Sequence, residues 1–320
     1  MKRNKTTFPA LLIASILAIT SCSITDTDYS YKLKANDIVT TTNFDIDDDF
    51  TINFTNTFNN IFDTSISTYI PQGITRINDF TLVTAYDYNQ SSNSVVYVFD
   101  QSGNLFNKCS LSNTAHVGGI AHDKKNNLLW ITGTNGKIDA YDPKKVLLDN
   151  EVIPIYSDLN VGEGLKCYAD ESFNAASFLS IDDDILYVGN YSINKNALLK
   201  AYSIEVKDNR IRLELIDTYK IPDKVQGVAF YTDKDFNKHM ILSRSDGRFT
   251  NSIIQVFDFD RDDHTYLDNP SFVYETQPMI EQILIDDDYL YSLYEINALP
   301  YRTNNGKNKT LTLTNIDKII

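Results

Sequence analysis

In Pro71-Gln72-Gly73-Ile74 the polar or small pair Gln72-Gly73 is followed by aliphatic Ile74, and the chain returns to that pattern four times. The returns are Gly118-Gly119-Ile120, Ser177-Phe178-Leu179, Gln226-Gly227-Val228 and Glu281-Gln282-Ile283, at intervals of 46, 59, 49 and 55 residues. Self-similarity at a period of this order marks a fold assembled from supersecondary units that bury their faces on one another. Each opening leads through a polar turn to a second apolar strand, expected at 81–85, 128–132, 185–188, 240–243 and 289–294. A third follows at 94–99, 137–141, 198–204, 252–257 and 310–314, with apolar Ile254 and Val256 flanking polar Gln255. A fourth is expected at 105–111, 213–221 and 271–275, and around 152–156 in the second unit.

The turns Asp182-Asp183-Asp184 and Asp286-Asp287-Asp288 repeat one another residue for residue. Four-stranded units in tandem predict an all-β fold, a five-bladed β-propeller; hairpins stacked as a sandwich are the alternative. The last unit lacks a fourth strand, and an open edge exposes unpaired backbone groups. Phe50, Ile52 and Phe54 alternate with Thr51 and Asn53, so 50–54 is expected to be an N-terminal strand that closes the last blade.

Ahead of the repeats, Lys2, Arg3 and Lys5 precede an apolar run over 8–19, which is signal-peptide length and short of a membrane span. The run ends in Ile19-Thr20-Ser21-Cys22, which resembles the bacterial lipobox. That resemblance implies export, lipidation of Cys22, and a cell-envelope location, extracytoplasmic and lipid-anchored to a membrane. The expected division is 1–21 signal peptide, 22–45 lipidated cysteine and polar tether, and 46–320 propeller. Cleavage removes three positive charges, taking the net charge from −14 to −17. Such a balance argues against nucleic acid or anionic lipid as a direct partner, both of which are gripped by clustered Lys and Arg. Cys109 and Cys167 remain, and in an oxidising compartment their pairing stays open. Acidic runs at 45–49 and 258–263 read as solvated turns, since neither has the Gly and Glu of a calcium-binding EF-hand loop.

The first strands of propeller blades line the central channel. Gln72, Gly118, Ser177, Gln226 and Glu281 are therefore expected around one axis, with His116 just ahead of its own opening. Gln72, Ser177, Gln226 and Glu281 are the candidate ligands for a metal, calcium by the oxygen chemistry of the set, with water as the alternative occupant. A second cluster follows the second strands: Tyr86, Asp87, Tyr191, Arg244, Arg248, Glu295, Tyr301 and Arg302. From the two groups, His116, Tyr191, Arg244, Glu295 and Arg302 are the candidate contacts for a sugar or an anionic small molecule. Nucleophile elbow, phosphate loop and zinc-helix motifs are absent from the sequence. The four histidines show no ligand spacing, and His239 and His264 fall in expected turns.

Pro71-Gln72-Gly73-Ile74, His116-Val117-Gly118-Gly119-Ile120-Ala121, Leu186-Tyr187-Val188-Gly189-Asn190-Tyr191 and Tyr301-Arg302 together resemble phrases of a poorly characterised group of secreted bacterial propellers. The resemblance runs from about Ile70 to Ile320 and implies the propeller, with His116, Glu281, Glu295 and Arg302 as positions to test. The chain departs from that group at Gln282, where glycine is expected. Lactonase-like and strictosidine-synthase-like propellers are similar at the level of fold alone. Two principal functions stay open. One is a lipid-anchored propeller that binds a small polar ligand, glycan or envelope protein on its loop face. The other is a metal-assisted hydrolase, lactonase-like or phosphohydrolase-like, with a divalent ion in the channel. A purely structural role in an envelope assembly is a third reading.

Overall fold

The repeated openings become five inner strands, each followed by antiparallel partners that step outward. The first sheet is β1 (Tyr69–Ile77), β2 (Phe80–Asp87), β3 (Val95–Phe99) and β4 (Leu105–Ser110). The second is β5 (Ile120–Asp123), β6 (Leu128–Thr132), β7 (Ile138–Tyr141) and β8 (Tyr156–Leu159). The third is β9 (Phe178–Asp182), β10 (Ile185–Gly189), β11 (Ala197–Lys207) and β12 (Arg210–Ile221). The fourth is β13 (Val225–Thr232), β14 (Lys238–Arg244), β15 (Ser252–Asp258) and β16 (Phe272–Thr276). Among the described residues the fifth has three strands, β17 (Ile280–Asp286), β18 (Tyr289–Tyr294) and β19 (Leu311–Asn315). This computed structural model describes residues 49–65, 68–161, 175–262, 269–302 and 308–320. Cys22, the tether, Cys167 and His264 lie outside them.

Closure of the ring follows from packing. Each inner strand touches the next, from β1 through β5, β9, β13 and β17 back to β1. Five buried clusters sit one at each junction between neighbouring blades, the fifth of them joining the last blade to the first. Central strands such as β3, β6 and β10 are buried along their whole length, as strands covered on both faces must be. The triple-aspartate turns are tight hairpins, with Asp183, Asp184 and Asp287 at positive φ, a conformation that Asp tolerates.

Three expectations need correction. The outer strand of the second blade starts at Tyr156, because Pro143–Leu148 form a short helix capped by Asp142 and the chain re-enters the sheet only afterwards. His239 lies in β14, not in a turn, and its ring meets Asp233. The stretch 50–54 belongs to a helix, α1 (Asp49–Ser65), so among the described residues no N-terminal strand closes the last blade. Phe54, Phe58 and Phe62 recur every four residues and point one way on a helix, into the cluster with Tyr97, Phe99, Leu311 and Leu313. The Phe58 and Phe99 ring centroids are 4.3 Å apart.

The helix still performs the task of the missing strand. Asn59 Oδ1 accepts from the backbone N–H of Thr310 (2.9 Å) and Leu311 (2.8 Å), and its Nδ2 donates to Leu311 O (3.0 Å). One buried amide thus satisfies edge groups that would otherwise stay open.

Candidate functional site

Three inner strands carry a bulge at the same level. Register shifts fall between Pro71 and Gly73 in β1, between Val225 and Gly227 in β13, and between Ile280 and Ile283 in β17. A bulge takes residues out of the ladder and re-aims their side chains, here those of Gln72, Gln226, Glu281 and Gln282. The freed N–H of Gly73 is taken up by Thr84 Oγ1 (2.9 Å), and Thr132 Oγ1 serves Gly119 in the same way (2.9 Å).

Gln282 fills the middle of the channel. Its Oε1 accepts from Ile74 N (3.2 Å) and Ile120 N (2.9 Å), and its Nε2 donates to Ile120 O (2.8 Å) and Leu179 O (3.0 Å). The fifth blade is thereby bonded to the first, second and third through one side chain. Glycine at two equivalent positions makes the room: a Cβ on Gly73 would lie 2.9 Å from Gln282 Oε1, and one on Gly227 2.8 Å from Gln282 Cα. The departure from glycine noted in the sequence is therefore the plug of the ring.

Above Gln282, where the inner strands begin, two carboxyls meet. Glu281 is only 4% exposed. Its carboxyl is raised well above the ordinary value by burial first, then by the charge of Glu295 and a hydrogen bond to it. Glu295, which follows β18 and is partly exposed, is also raised, by burial. Hydrogen bonds from Gln72 and from Glu281 offset part of that rise. The pair therefore keeps a proton, carried by Glu281 and donated to Glu295. Gln72 Nε2 donates to Glu295 Oε2 (3.0 Å) and to Pro71 O (2.9 Å), while its Oε1 is buried without a partner.

Aromatic groups border this pair. Tyr86 hydrogen-bonds to Tyr301, and its ring lies 4.5 Å from that of His116, tilted by 31°. The Tyr301 phenol is pushed up to about 12, by burial and then by the Glu295 charge, so it stays a neutral hydroxyl. His116 is exposed at the surface, and desolvation by neighbouring protein lowers its imidazole below the ordinary range.

Other expected contacts are placed elsewhere. Arg244 is buried, with Nε on Asp223 O (2.8 Å), Nη1 on Gln255 Oε1 (3.2 Å) and Nη2 paired to the Asp223 carboxylate. Arg302 sits at the outer rim, donating to Asn297 O (3.2 Å) and to Asp63 O of α1 (2.6 Å). Ser177 Oγ accepts from Tyr191 N (3.0 Å), tying those two to each other, and Gln226 is half-buried on β13. Gln72, His116, Glu281 and Glu295 thus converge with Tyr86 and Tyr301, while both arginines are bound into the frame.

Among the described residues, no group of three or more His, Cys, Asp or Glu is placed to hold a metal ion. The oxygens of Gln72, Glu281 and Glu295 suit calcium in kind but fall short of the six to eight it takes. Of the central residues, sequence reasoning missed the role of Gln282; the signal was a large amide where three of the other four openings carry glycine.

No protein-family model and no curated protein matches this chain. Among solved structures, it is similar to a gluconolactonase from Xanthomonas campestris at 14% identity, over 71% of each chain, with a TM-score of 0.40. It is also similar to U3-55K at 8% identity, over 77% of this chain and 95% of that one, with a TM-score of 0.42. Likeness this loose carries no chemistry to the present chain.

Proposed function

We propose that this protein is a lipid-anchored, extracytoplasmic propeller that binds a small, uncharged, hydroxyl-bearing ligand such as a sugar at the upper end of its channel. The carrying observation is the hydrogen-bonded Glu281–Glu295 pair, with Gln72 donating to Glu295 and keeping its own Oε1 unpartnered. Such a set offers acceptors and a donor together, which is what hydroxyl groups need, and the Tyr86 and Tyr301 rings supply flat apolar faces. An anionic ligand is disfavoured, because Arg244 and Arg302 are already committed and Glu295 would repel it.

Isothermal titration with glucose, galactose and N-acetylglucosamine, against glucuronate, tests this reading. Saturable binding of a neutral sugar, abolished by Glu295→Ala, is the expected result; no saturable binding, or preference for glucuronate, contradicts it. The anchor is tested separately by palmitate labelling, which Cys22→Ser should abolish.

The orphaned Gln72 oxygen beside two carboxylates also favours a second reading, in which a calcium ion completes the site and supports hydrolysis. Calcium would then raise the melting temperature of the wild type and not of Glu281→Gln. Equal curves with and without calcium remove that reading.

A further inference from the structure

Below Gln282 the channel widens into a second recess of about 150 Å³, walled by residues of all five blades. Its charged members are Arg76, Lys124 and Asp286, beside the imidazole of His122 and the hydroxyl-bearing Thr75 and Ser180. Arg76 turns Nη1 toward the Asp286 carboxylate and Tyr291 OH (3.3 Å). Its Nε is buried with no partner, and so is Nδ1 of His122. Both residues line the recess, and native interiors seldom leave two such nitrogens without a partner. With His122 neutral, two cations against one carboxylate leave the wall one positive charge. The acidic turns at the rim are partly countered, Asp182 and Asp183 sharing Lys238 and Asp184 meeting Lys125.

The geometry points to a binding site for a small monoanionic carboxylate, held along the Nε edge of Arg76 with His122 and Lys124 beside it. A guanidinium grips a carboxylate in its own plane through paired N–H groups, and Nε is the Arg76 nitrogen without a protein partner. The small volume admits only a few heavy atoms. Burial and then the Lys124 charge push His122 below its ordinary range, a cost that a neighbouring anion would offset.

The test is NMR titration of the mature chain with sodium acetate, sodium pyruvate and inorganic phosphate at fixed ionic strength, following the Arg76 Nε–H and His122 ring signals. Saturable shifts with acetate or pyruvate are expected, with phosphate at least about tenfold weaker. Lys124→Glu, at an exposed position, should weaken carboxylate binding by about tenfold or more. Arg76→Lys should do the same despite keeping its charge. Glu281→Gln, on the far side of the plug, should leave this binding unchanged, so this site and the upper one stand or fall separately. Absence of saturable shifts, indifference to Lys124→Glu, or preference for phosphate overturns the proposal.

Discussion

At the upper end of the channel, Glu281, Glu295 and Gln72 meet, with Arg244 and Arg302 committed elsewhere; among the side chains lining the lower end, Arg76 and Lys124 outnumber Asp286. The two ends share the same five inner strands, and Gln282 stands between them. A charged group at that place would be desolvated, whereas a neutral amide with two donors and two acceptor lone pairs meets four backbone contacts without that cost. One tube can therefore hold two recesses, each with its own ligand chemistry. Arg244 shows a different use of charge: it stands near the upper end but serves the frame.

The largest expected effect comes from breaching the partition. Gln282→Leu strands four backbone groups, each worth about 1–3 kcal/mol when unsatisfied. With water recovering part of this, the loss should be about 4–6 kcal/mol by urea unfolding. Arg244→Met should cost about 3–5 kcal/mol, since it leaves Asp223 as a buried unpaired charge, while sugar binding at the upper end persists in the folded fraction. Loss of binding without loss of stability would make Arg244 a ligand contact instead.

A smaller effect separates the two ends by pH. Folding raises the upper carboxyls, so their protonated form is favoured in the native state. Their stabilising contribution is full below the ordinary glutamate value of 4.5 and is lost as pH rises through the raised folded value. Glu281→Gln, which keeps a donor at every pH, should remove most of that decline, read as the difference between the two stability–pH curves. Parallel curves would mean that the pair carries no extra proton. The smallest effect belongs to Arg302→Ala, expected to cost less than about 1 kcal/mol and to leave sugar binding intact, because its bonds lie at the exposed rim.

Much of this design is legible in the residues. Openings such as Gln226-Gly227-Val228 mark the inner strands, and Leu128–Thr132 and Tyr289–Tyr294 match observed strands end to end. The closing element was not, because Phe50, Ile52 and Phe54 alternate over five residues, while the stronger signal, Phe54, Phe58 and Phe62, needs a window of nine. Aligning Glu281 with Gln72 correctly places both at the upper end. The bulge in β17 spans two residues where those in β1 and β13 span one, and no spacing rule announces that extra residue. The lower recess escaped notice because Arg76, His122 and Lys124 read as ordinary polar positions near strand ends until the ring brings them together.

Hydrogen exchange at the Ile74 and Ile120 amides tests the partition most directly, because both donate to Gln282 Oε1. Both should rank among the slowest amides of the protein and become fast together in Gln282→Leu, while amides of central strands such as β3 stay slow. Rapid exchange at either one in the wild type would mean an open channel, and the separation of its two ends would be lost.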